Sequence, residues 1–383
     1  MQQGGNLGSR KEKISFYRYT ARITGPIALQ NLMDASVGSA DVIMLSFVGQ
    51  TALAASSLAG QVMFVLQMLL FGISSGASVL AAQYWGKGDT RAVVRVMGIS
   101  LRITFMISAL FTLAGALVPG AIMRFFTADT ELIDAGSRYL QAVAAAYVLG
   151  GMSTVYLSVM RSVERVRISA AVHCSAVVLN VLLNACFIFG LGPFPSLGIV
   201  GVALATSVTR LIEALVCFLD SRTCRIIRLR LPDLLVHERQ LMRDFIRFSV
   251  PAAANDIIWG LAFSLYSVIL GHLSSDIVAA NSVAAVVRSL GTVVCFGVSS
   301  SAAIVLGKTM GDNRLDQARV YARRFVGLSV AAALAGGAVI LLGRPLVLRF
   351  MHYYVTVTDT VRKEVGLMLL INSYYILGQS VNT

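Results

Sequence analysis

The chain contains 383 residues, of which 56% are hydrophobic and 13% are charged, and its mean hydropathy is +0.75. A soluble domain carries about 25% charged residues, so this composition excludes a soluble globular protein. The net charge of +13 does not indicate a nucleic-acid-binding protein, because the basic residues lie in short loops and form no stripe interleaved with aromatic side chains. The composition therefore predicts an all-α integral membrane protein.

Ten segments are long and apolar enough to cross a bilayer as α-helices, since one span needs about 20 apolar residues. A polar segment, residues 1–22, precedes the first span, and an arginine-rich linker, residues 221–244, separates the sixth from the seventh. This pattern predicts an N-terminal lobe of six helices over residues 23–220 and a C-terminal lobe of four over residues 245–383. The ten predicted spans are residues 23–48, 52–82, 92–118, 133–160, 168–190, 197–220, 245–271, 276–306, 318–342 and 359–383.

Lysine and arginine residues are distributed unequally between the two sides of the predicted membrane. The N-terminal segment, the linker and three alternate loops contain 23 of them, whereas the loops of the opposite side contain 6. Loops rich in lysine and arginine stay in the cytoplasm. We therefore expect a multi-pass protein of the plasma or bacterial inner membrane, with a cytoplasmic N-terminus.

The second half of the chain repeats the first after a shift of 225 residues. Six spans precede the linker, and six is even, so both halves enter the membrane in the same orientation. Parallel repeats of this kind are typical of alternating-access transporters. A complete second half would need two more helices, which we expect in a longer sequence beyond Thr383. The shift places Pro26 on Pro251, Ala28 on Ala253, Gly72 on Gly297, Ser74 on Ser299 and Gly86 on Gly311.

Several motifs, in order and partly duplicated between the halves, make the chain resemble the multidrug and toxic compound extrusion (MATE) transporters from residue 15 to the end. The resemblance implies two six-helix bundles around a central cavity, of which 6 + 4 helices are present, and export driven by a proton or sodium gradient. The motifs of the first half are Pro26…Asp41-Val-Ile-Met, Gly49-Gln-Thr-Ala-Leu-Ala-Ala55, Ala82-Gln83…Gly86-Lys-Gly-Asp89, Leu179-Asn180…Asn184 and Gly198-Ile-Val-Gly201…Ala205-Thr206. Those of the second half are Pro251, Ala279-Ala280 and Gly307-Lys308…Gly311-Asp312.

The resemblance also implies a coupling-ion site in the N-terminal lobe, formed by Asp41, Asn180, Asn184 and Thr206. A carboxylate near the middle of a bilayer costs about 3 kcal/mol on insertion scales, which favours a functional role for Asp41 over a structural hydrogen bond. Asn180 and Asn184 share one helix face, where amides either bind an ion or join helices. One branch of the family has a second carboxylate at the position of Asn184, so we expect one titrating group in this site.

We predict that Asp34, Asn255 and Asp256 line a substrate cavity in which the carboxylates attract cationic compounds. Asn255 stands where another branch of the family places a glutamate. Asp256 is also near the start of its helix, where the helix dipole by itself would stabilise a carboxylate. Arg210 and Glu213, three residues apart, are predicted to pair for structural reasons. The histidines lack metal-ligand spacing, so the sequence predicts no metal site.

These observations predict a secondary transporter that exports small cationic or amphipathic organic compounds by alternating access, with H⁺ or Na⁺ as the coupling ion. We expect a monomer in membrane lipid, without a cofactor and without nucleic acid. Two alternatives stay open: a lipid-linked saccharide flippase of the same superfamily, and a truncated remnant that does not transport. An integral membrane enzyme is not predicted, because the sequence shows neither clustered carboxylates for a metal–diphosphate nor a His/Asp pair near an interface.

Overall fold

The computed structural model describes residues 3–190, 195–224, 227, 238–273, 275–354 and 359–382. Every regular element in these ranges is an α-helix, which confirms the predicted all-α fold class. Side chains are described for residues 14–34, 36, 44, 45, 48, 49, 51–190, 195–224, 227, 238–262, 265, 266, 269, 277, 280, 281, 283–349 and 362–380.

Ten long helices in the described ranges correspond to the ten predicted spans, and an eleventh, α4, is short. Seven of them, α2, α3, α5, α6, α7, α9 and α10, contain a described stretch that is long and apolar enough to cross a membrane. The helices are α1 (Gln3–Val48), α2 (Gln50–Gly86), α3 (Thr90–Leu117), α4 (Pro119–Phe126), α5 (Thr130–Ser162), α6 (Val166–Phe189), α7 (Gly198–Thr223), α8 (Arg239–Leu273), α9 (Ser275–Gly311), α10 (Leu315–Tyr354) and α11 (Asp359–Asn382).

The helix ends in the first half follow local sequence signals. Asp89 and Asp129 precede α3 and α5, and their carboxylates accept hydrogen bonds from backbone N–H groups of the first turn at 3.0 and 2.9 Å. Such caps satisfy donors that a helix start leaves free. Gly190 ends α6 with φ 66°, a left-handed conformation that glycine adopts without steric cost. Helix α4 begins at Pro119, a residue suited to the first turn, but its eight residues are too short for a span.

Packing divides the chain into two compact units, whose boundaries fall inside α1 and α8. The central unit is Ser36–Gly260, and the terminal unit combines Met1–Ala35 with Leu261–Thr383. These boundaries differ from the linker at residues 221–244, of which the structure describes residues 221–224, 227 and 238–244. The lobes over residues 23–220 and 245–383 therefore stay a prediction from the sequence.

Helix α5 lies at the centre of the central unit, where it packs against α2, α3 and α7. In its apolar stretch, 72% of the residues are buried, the largest share among the seven membrane-span candidates of the described chain. The core around it combines large aliphatic and aromatic side chains of five helices. They include Leu66, Leu70, Val96, Met97, Tyr147, Val155, Met160, Ala203, Leu241 and Phe245.

The described part of the terminal unit is built on mutual packing of α9, α10 and α11. Gly291 of α9 lies at the point where the three helices meet. A Cβ atom at this position would lie 3.0 Å from Ile340 Cδ1 of α10 and 3.1 Å from Ile376 Cδ1 of α11. A glycine there lets the two isoleucine side chains approach the α9 backbone, as small residues do at helix interfaces in membranes.

Two equivalent helix contacts, one inside each unit, reproduce the internal repeat. In the central unit, Gly72 of α2 lies against Ala253 of α8. In the terminal unit, Gly297 of α9 lies against Ala28 of α1, with 3.2 Å between the Ala28 Cβ and a Cβ built at Gly297. The 225-residue shift converts one pair into the other. The residues that revealed the repeat are therefore residues at which helices meet.

One helical turn further along each contact, the same 225-residue shift relates a second pair of residues, which includes hydroxyl-bearing side chains. Gly76 lies against Ser249 in the central unit, and the shift converts this pair into Ser301 and Thr24 in the terminal unit. The hydroxyl oxygens of Thr24 and Ser301 are 2.8 Å apart and share a hydrogen bond. Small and hydroxyl-bearing residues are the usual means by which membrane helices pack closely.

Substitution of Gly76 by valine is expected to destabilise the protein, because the new side chain would overlap with Ser249 Oγ and with the α8 backbone. Overpacking of this kind costs about 1–3 kcal/mol. Gly60→Val, on the same helix, is the matched control, since a Cβ at Gly60 meets no atom within 4 Å. Thermal unfolding of the detergent-solubilised protein measures both variants, and equal unfolding midpoints would contradict the close α2–α8 contact.

Candidate functional site

Three of the four predicted coupling-ion residues form a hydrogen-bonded chain between α6 and α7. Asn184 Nδ2 donates to Asn180 Oδ1 at 3.3 Å, and Asn180 Nδ2 donates to Thr206 Oγ1 at 3.5 Å. Thr206 Oγ1 in turn donates to the backbone carbonyl of Val202 at 3.0 Å. Asn184 is 1% exposed, so its amide lies inside the packed helices. The structure thus brings Asn180, Asn184 and Thr206 together as the amide–hydroxyl chain.

The C-terminal end of α1 packs beside the amide–hydroxyl chain. Leu45 of α1 forms a buried cluster with Ile188 of α6 and Val202 of α7. Position 41 is one helical turn before Leu45, Asn184 is one turn before Ile188, and Thr206 is one turn after Val202. In the predicted topology α1 and α6 run parallel and α7 antiparallel to them, so these three turns lie on the same side of the cluster. The Asp41 side chain lies outside the described residues.

Tyr139 of α5 is a neighbour of this site that the sequence did not single out. It is partly buried and packs against the cluster of Leu45, Ile188 and Val202. One tyrosine in an apolar span has no spacing or partner in the sequence that would mark it. Its position follows from the packing of α5 across α1, α6 and α7.

The chemistry of the amide–hydroxyl chain suits a small cation. Asn180, Asn184 and Thr206 contribute side-chain oxygens, and hard cations prefer oxygen ligands. Neutral amides and a hydroxyl also orient a nearby carboxylate by hydrogen bonds without adding a second charge. Within the described residues, no group of three or more His, Cys, Asp and Glu is placed to hold a metal ion.

The residues predicted to line a substrate cavity belong to two different units. Asp34 belongs to the terminal unit and is exposed. Asn255 and Asp256 are adjacent residues of α8 in the central unit. A cavity shared by the three residues stays a prediction.

A second polar cluster between α6 and α7 contains the predicted Arg210–Glu213 pair. Arg210 Nη1 lies 2.6 Å from Glu213 Oε2, which confirms that pair. The structure adds His173 of α6, whose Nδ1 lies 3.6 Å from Glu213 Oε1. His173 precedes Asn180 by seven residues, two helical turns, so it lies on the same face of α6. This seven-residue spacing from Asn180 is the feature of the sequence that could have identified His173.

A third polar cluster joins the start of α6 to the end of α7. Arg165 donates to both oxygens of Asp220, with Nη1–Oδ2 and Nη2–Oδ1 distances of 2.8 Å. Tyr156 of α5 donates its hydroxyl to Asp220 Oδ2 at 2.7 Å. Bidentate pairing fixes the guanidinium and the carboxylate in one geometry. Asp220 is therefore held by two helices at the end of α7.

The sequence profile of the MatE family matches residues 26–186 and 251–383 of the chain. The probable multidrug resistance protein YoeA of Bacillus subtilis is 24% identical to the chain, over 97% of this chain and 81% of that relative. The FAD transporter of Shewanella oneidensis is also 24% identical, over 88% of this chain and 77% of that relative.

A solved structure, the outward-facing conformation of a multidrug resistance MATE family transporter of the MOP superfamily, superposes with a TM-score of 0.83. The superposition covers 95% of this chain and 81% of that chain at 19% sequence identity, so it shows a shared fold. The family profile matches both halves of the chain, including the segments that contain Asn180, Asn184 and Pro251. The chain belongs to the MatE family of multi-pass membrane transporters.

Proposed function

We propose that the chain is a secondary active transporter that exports small cationic or amphipathic organic compounds in exchange for H⁺ or Na⁺, by alternating access. The observation that carries this proposal is the amide–hydroxyl chain of Asn184, Asn180 and Thr206, which lies one turn from the α1 contact at Leu45 and in which the Asn184 amide is buried. Membership of the MatE family and the name of the relative YoeA, a multidrug resistance protein, support it.

The coupling follows from the cost of charge in the membrane. A carboxylate at position 41 would be stabilised when it holds Na⁺ or a proton, because an isolated charge in the hydrocarbon region costs several kcal/mol. The ion and the exported compound then favour different conformations of the protein. Each shifts the equilibrium only by the difference between its affinities for those conformations.

The charge of the candidate cavity residues favours cationic cargo. Asp34 and Asp256 are carboxylates, and acidic side chains in a cleft raise the local concentration of cations. The relative named an FAD transporter makes a flavin dinucleotide the second cargo to test, although its phosphates would be repelled by the same carboxylates. A lipid-linked saccharide flippase would need a basic cavity for its diphosphate, so it stays the weaker alternative.

We propose a cytoplasmic N-terminus, because the loops on that side contain most of the lysine and arginine residues. The proposed functional unit is a monomer in membrane lipid that needs H⁺ or Na⁺ and no organic cofactor.

Asp41→Asn is expected to abolish ethidium efflux from proteoliposomes driven by either a pH or a sodium gradient, each imposed separately. The amide can neither take up a proton nor supply the charge that binds Na⁺. Asp134→Asn is the matched control, because Asp134 and its partner Arg138 are 64% and 66% exposed and neither belongs to the proposed site. Full gradient-driven efflux by Asp41→Asn would contradict the proposed coupling site. If the unaltered protein exports no ethidium under either gradient, the proposed function is wrong.

Thr206→Val is expected to weaken the contact between α6 and α7, whereas Thr206→Ser keeps it. Valine has the shape of threonine but lacks the hydroxyl that accepts from Asn180 and donates to Val202 O. Hydrogen bonds between membrane helices contribute about 0.6 kcal/mol on average, with a maximum near 1.7. Unfolding in mixed detergent–lipid micelles measures the free energy of unfolding of both variants. Equal values for the valine and serine variants would contradict the hydrogen-bonded chain.

A further inference from the structure

The cluster of Arg210, Glu213 and His173 lies inside the apolar part of the α6–α7 pair. Its centre is the Glu213 carboxylate, which is 1% exposed. One oxygen, Oε2, is 2.6 Å from Arg210 Nη1, and the other, Oε1, is 3.6 Å from His173 Nδ1. Glu213 is ten residues before Thr223, the end of α7, which corresponds to about 15 Å. In a hydrocarbon core of about 30 Å, this depth is close to the middle.

The net charge of the cluster depends on His173. With a neutral imidazole, the charges of Arg210 and Glu213 cancel. Addition of one proton to the neutral imidazole gives an imidazolium, and the cluster then has a net charge of +1. A carboxylate has lone pairs on both oxygens and accepts from two donors at once. Histidine is the side chain whose ordinary titration falls between about pH 5 and 8.

A glycine of helix α5 leaves room for the Arg210 side chain. Gly150 faces the arginine, and a Cβ built on it would lie 3.2 Å from Arg210 Cδ and 3.4 Å from Nε. A larger residue at position 150 would push the guanidinium away from Glu213. The three helices α5, α6 and α7 therefore fix the cluster together, and Arg210 acts as a positioning residue for the carboxylate.

We propose that His173 and Glu213, held by Arg210, form a proton-binding site of this transporter. The proposal rests on the ion-coupled export proposed above and identifies H⁺ as the coupling ion. His173 binds the proton on its imidazole, Glu213 stabilises the imidazolium, and Arg210 keeps the carboxylate ionised and oriented. Buried ionisable residues in membrane helices are costly, and they recur in proton relays of transporters.

Three of the described polar pairs between α6 and α7 form a series along the interface. Asn180 pairs with Thr206, His173 with Glu213, and Arg165 with Asp220. On α7 the members of the series are seven residues apart, so each lies about 10 Å from the next on one helix face. The series links the amide–hydroxyl chain to the α7 end that the predicted topology places at the cytoplasmic surface. The pair of His173 and Glu213 is the middle one of the three pairs in this series.

Other titratable groups face the cluster from the helices packed around it. Cys217 of α7 is buried and lies one helical turn after Glu213. Helix α2 has no Asp, Glu, Lys, Arg or His between Gln50 and Gly86, and its tyrosine, Tyr84, lies two residues before the end of the helix. The further titratable side chains on the mid-membrane parts of α5 and α6 are Tyr147, Tyr156 and Cys174, and Asp220 follows Glu213 by two turns on α7.

The first test is transport of ethidium by His173→Gln in proteoliposomes. Glutamine keeps an N–H donor for Glu213 but takes up no proton. Efflux driven by a pH gradient is expected to fall to the rate without a gradient, and its dependence on pH between about 5.5 and 7.5 is expected to disappear. Ethidium exchange without a gradient is expected to persist. Cys174→Ala, which changes the adjacent residue and leaves the three charged side chains in place, is expected to behave like the unaltered protein.

Two outcomes of the transport test would overturn the proton site. An unchanged gradient-driven rate with an unchanged pH profile would show that His173 takes no part in coupling. Equal loss of gradient-driven efflux and of gradient-free exchange would show a purely structural role.

The second test does not depend on transport. The chain has 4 histidines, and ¹⁵N-histidine spectra of the full chain in lipid nanodiscs, compared with those of His173→Gln, assign the His173 signals. These signals are expected to change between about pH 5 and 8 as the imidazole takes up its proton. Signals that stay constant over this range would overturn the proton site. A His173 that titrates in a protein that moves no ethidium under any gradient would instead overturn the proposed function and leave the site in place.

Discussion

The hydrocarbon interior of the membrane is the constraint on which the rest of this structure depends. Without water, each backbone N–H and C=O must find its partner within the spanning segment, so the described elements are α-helices. The same medium makes a side-chain charge costly. Two pairs reflect this cost: Arg165 with Asp220 at the α6–α7 end, and Arg210 with Glu213 deeper in the same interface.

Polar contacts between α6 and α7 hold the two helices together and also provide the residues of the proposed function. The amide–hydroxyl chain needs no net charge and offers oxygens for a cation, whereas the Glu213 cluster holds two opposite charges and the histidine to which we assign proton binding. Removing one partner of a buried pair leaves the other charge uncompensated. The Glu213 cluster is consequently sensitive to single substitutions. On α7 the two clusters are seven residues apart, which places them on one continuous face.

Close helix packing depends on small residues placed by the internal repeat. Gly72 against Ala253 and Gly297 against Ala28 are the same contact in two copies of one sequence pattern. Association of helices in lipid gains little from the hydrophobic effect, so it relies on close approach of backbones and on hydrogen bonds such as that between Thr24 and Ser301. A side chain added at Gly72 would overlap with Ala253 of the neighbouring helix, and its counterpart in the repeat, Gly297, is also a glycine.

The sequence by itself determined the ten spans, the repeat, the family resemblance and the Arg210–Glu213 pair, because these depend on local hydropathy or on residues within one helical turn. It indicated Asn180, Asn184 and Thr206 through the resemblance, and α4 was missed because eight residues give no span signal. Only the tertiary structure decided that His173 meets Glu213, that Tyr139 adjoins Leu45, and that the unit boundaries fall inside α1 and α8. These contacts join residues distant in the chain, as Arg165 and Asp220 are 55 positions apart, and which helix faces meet is decided by packing in three dimensions.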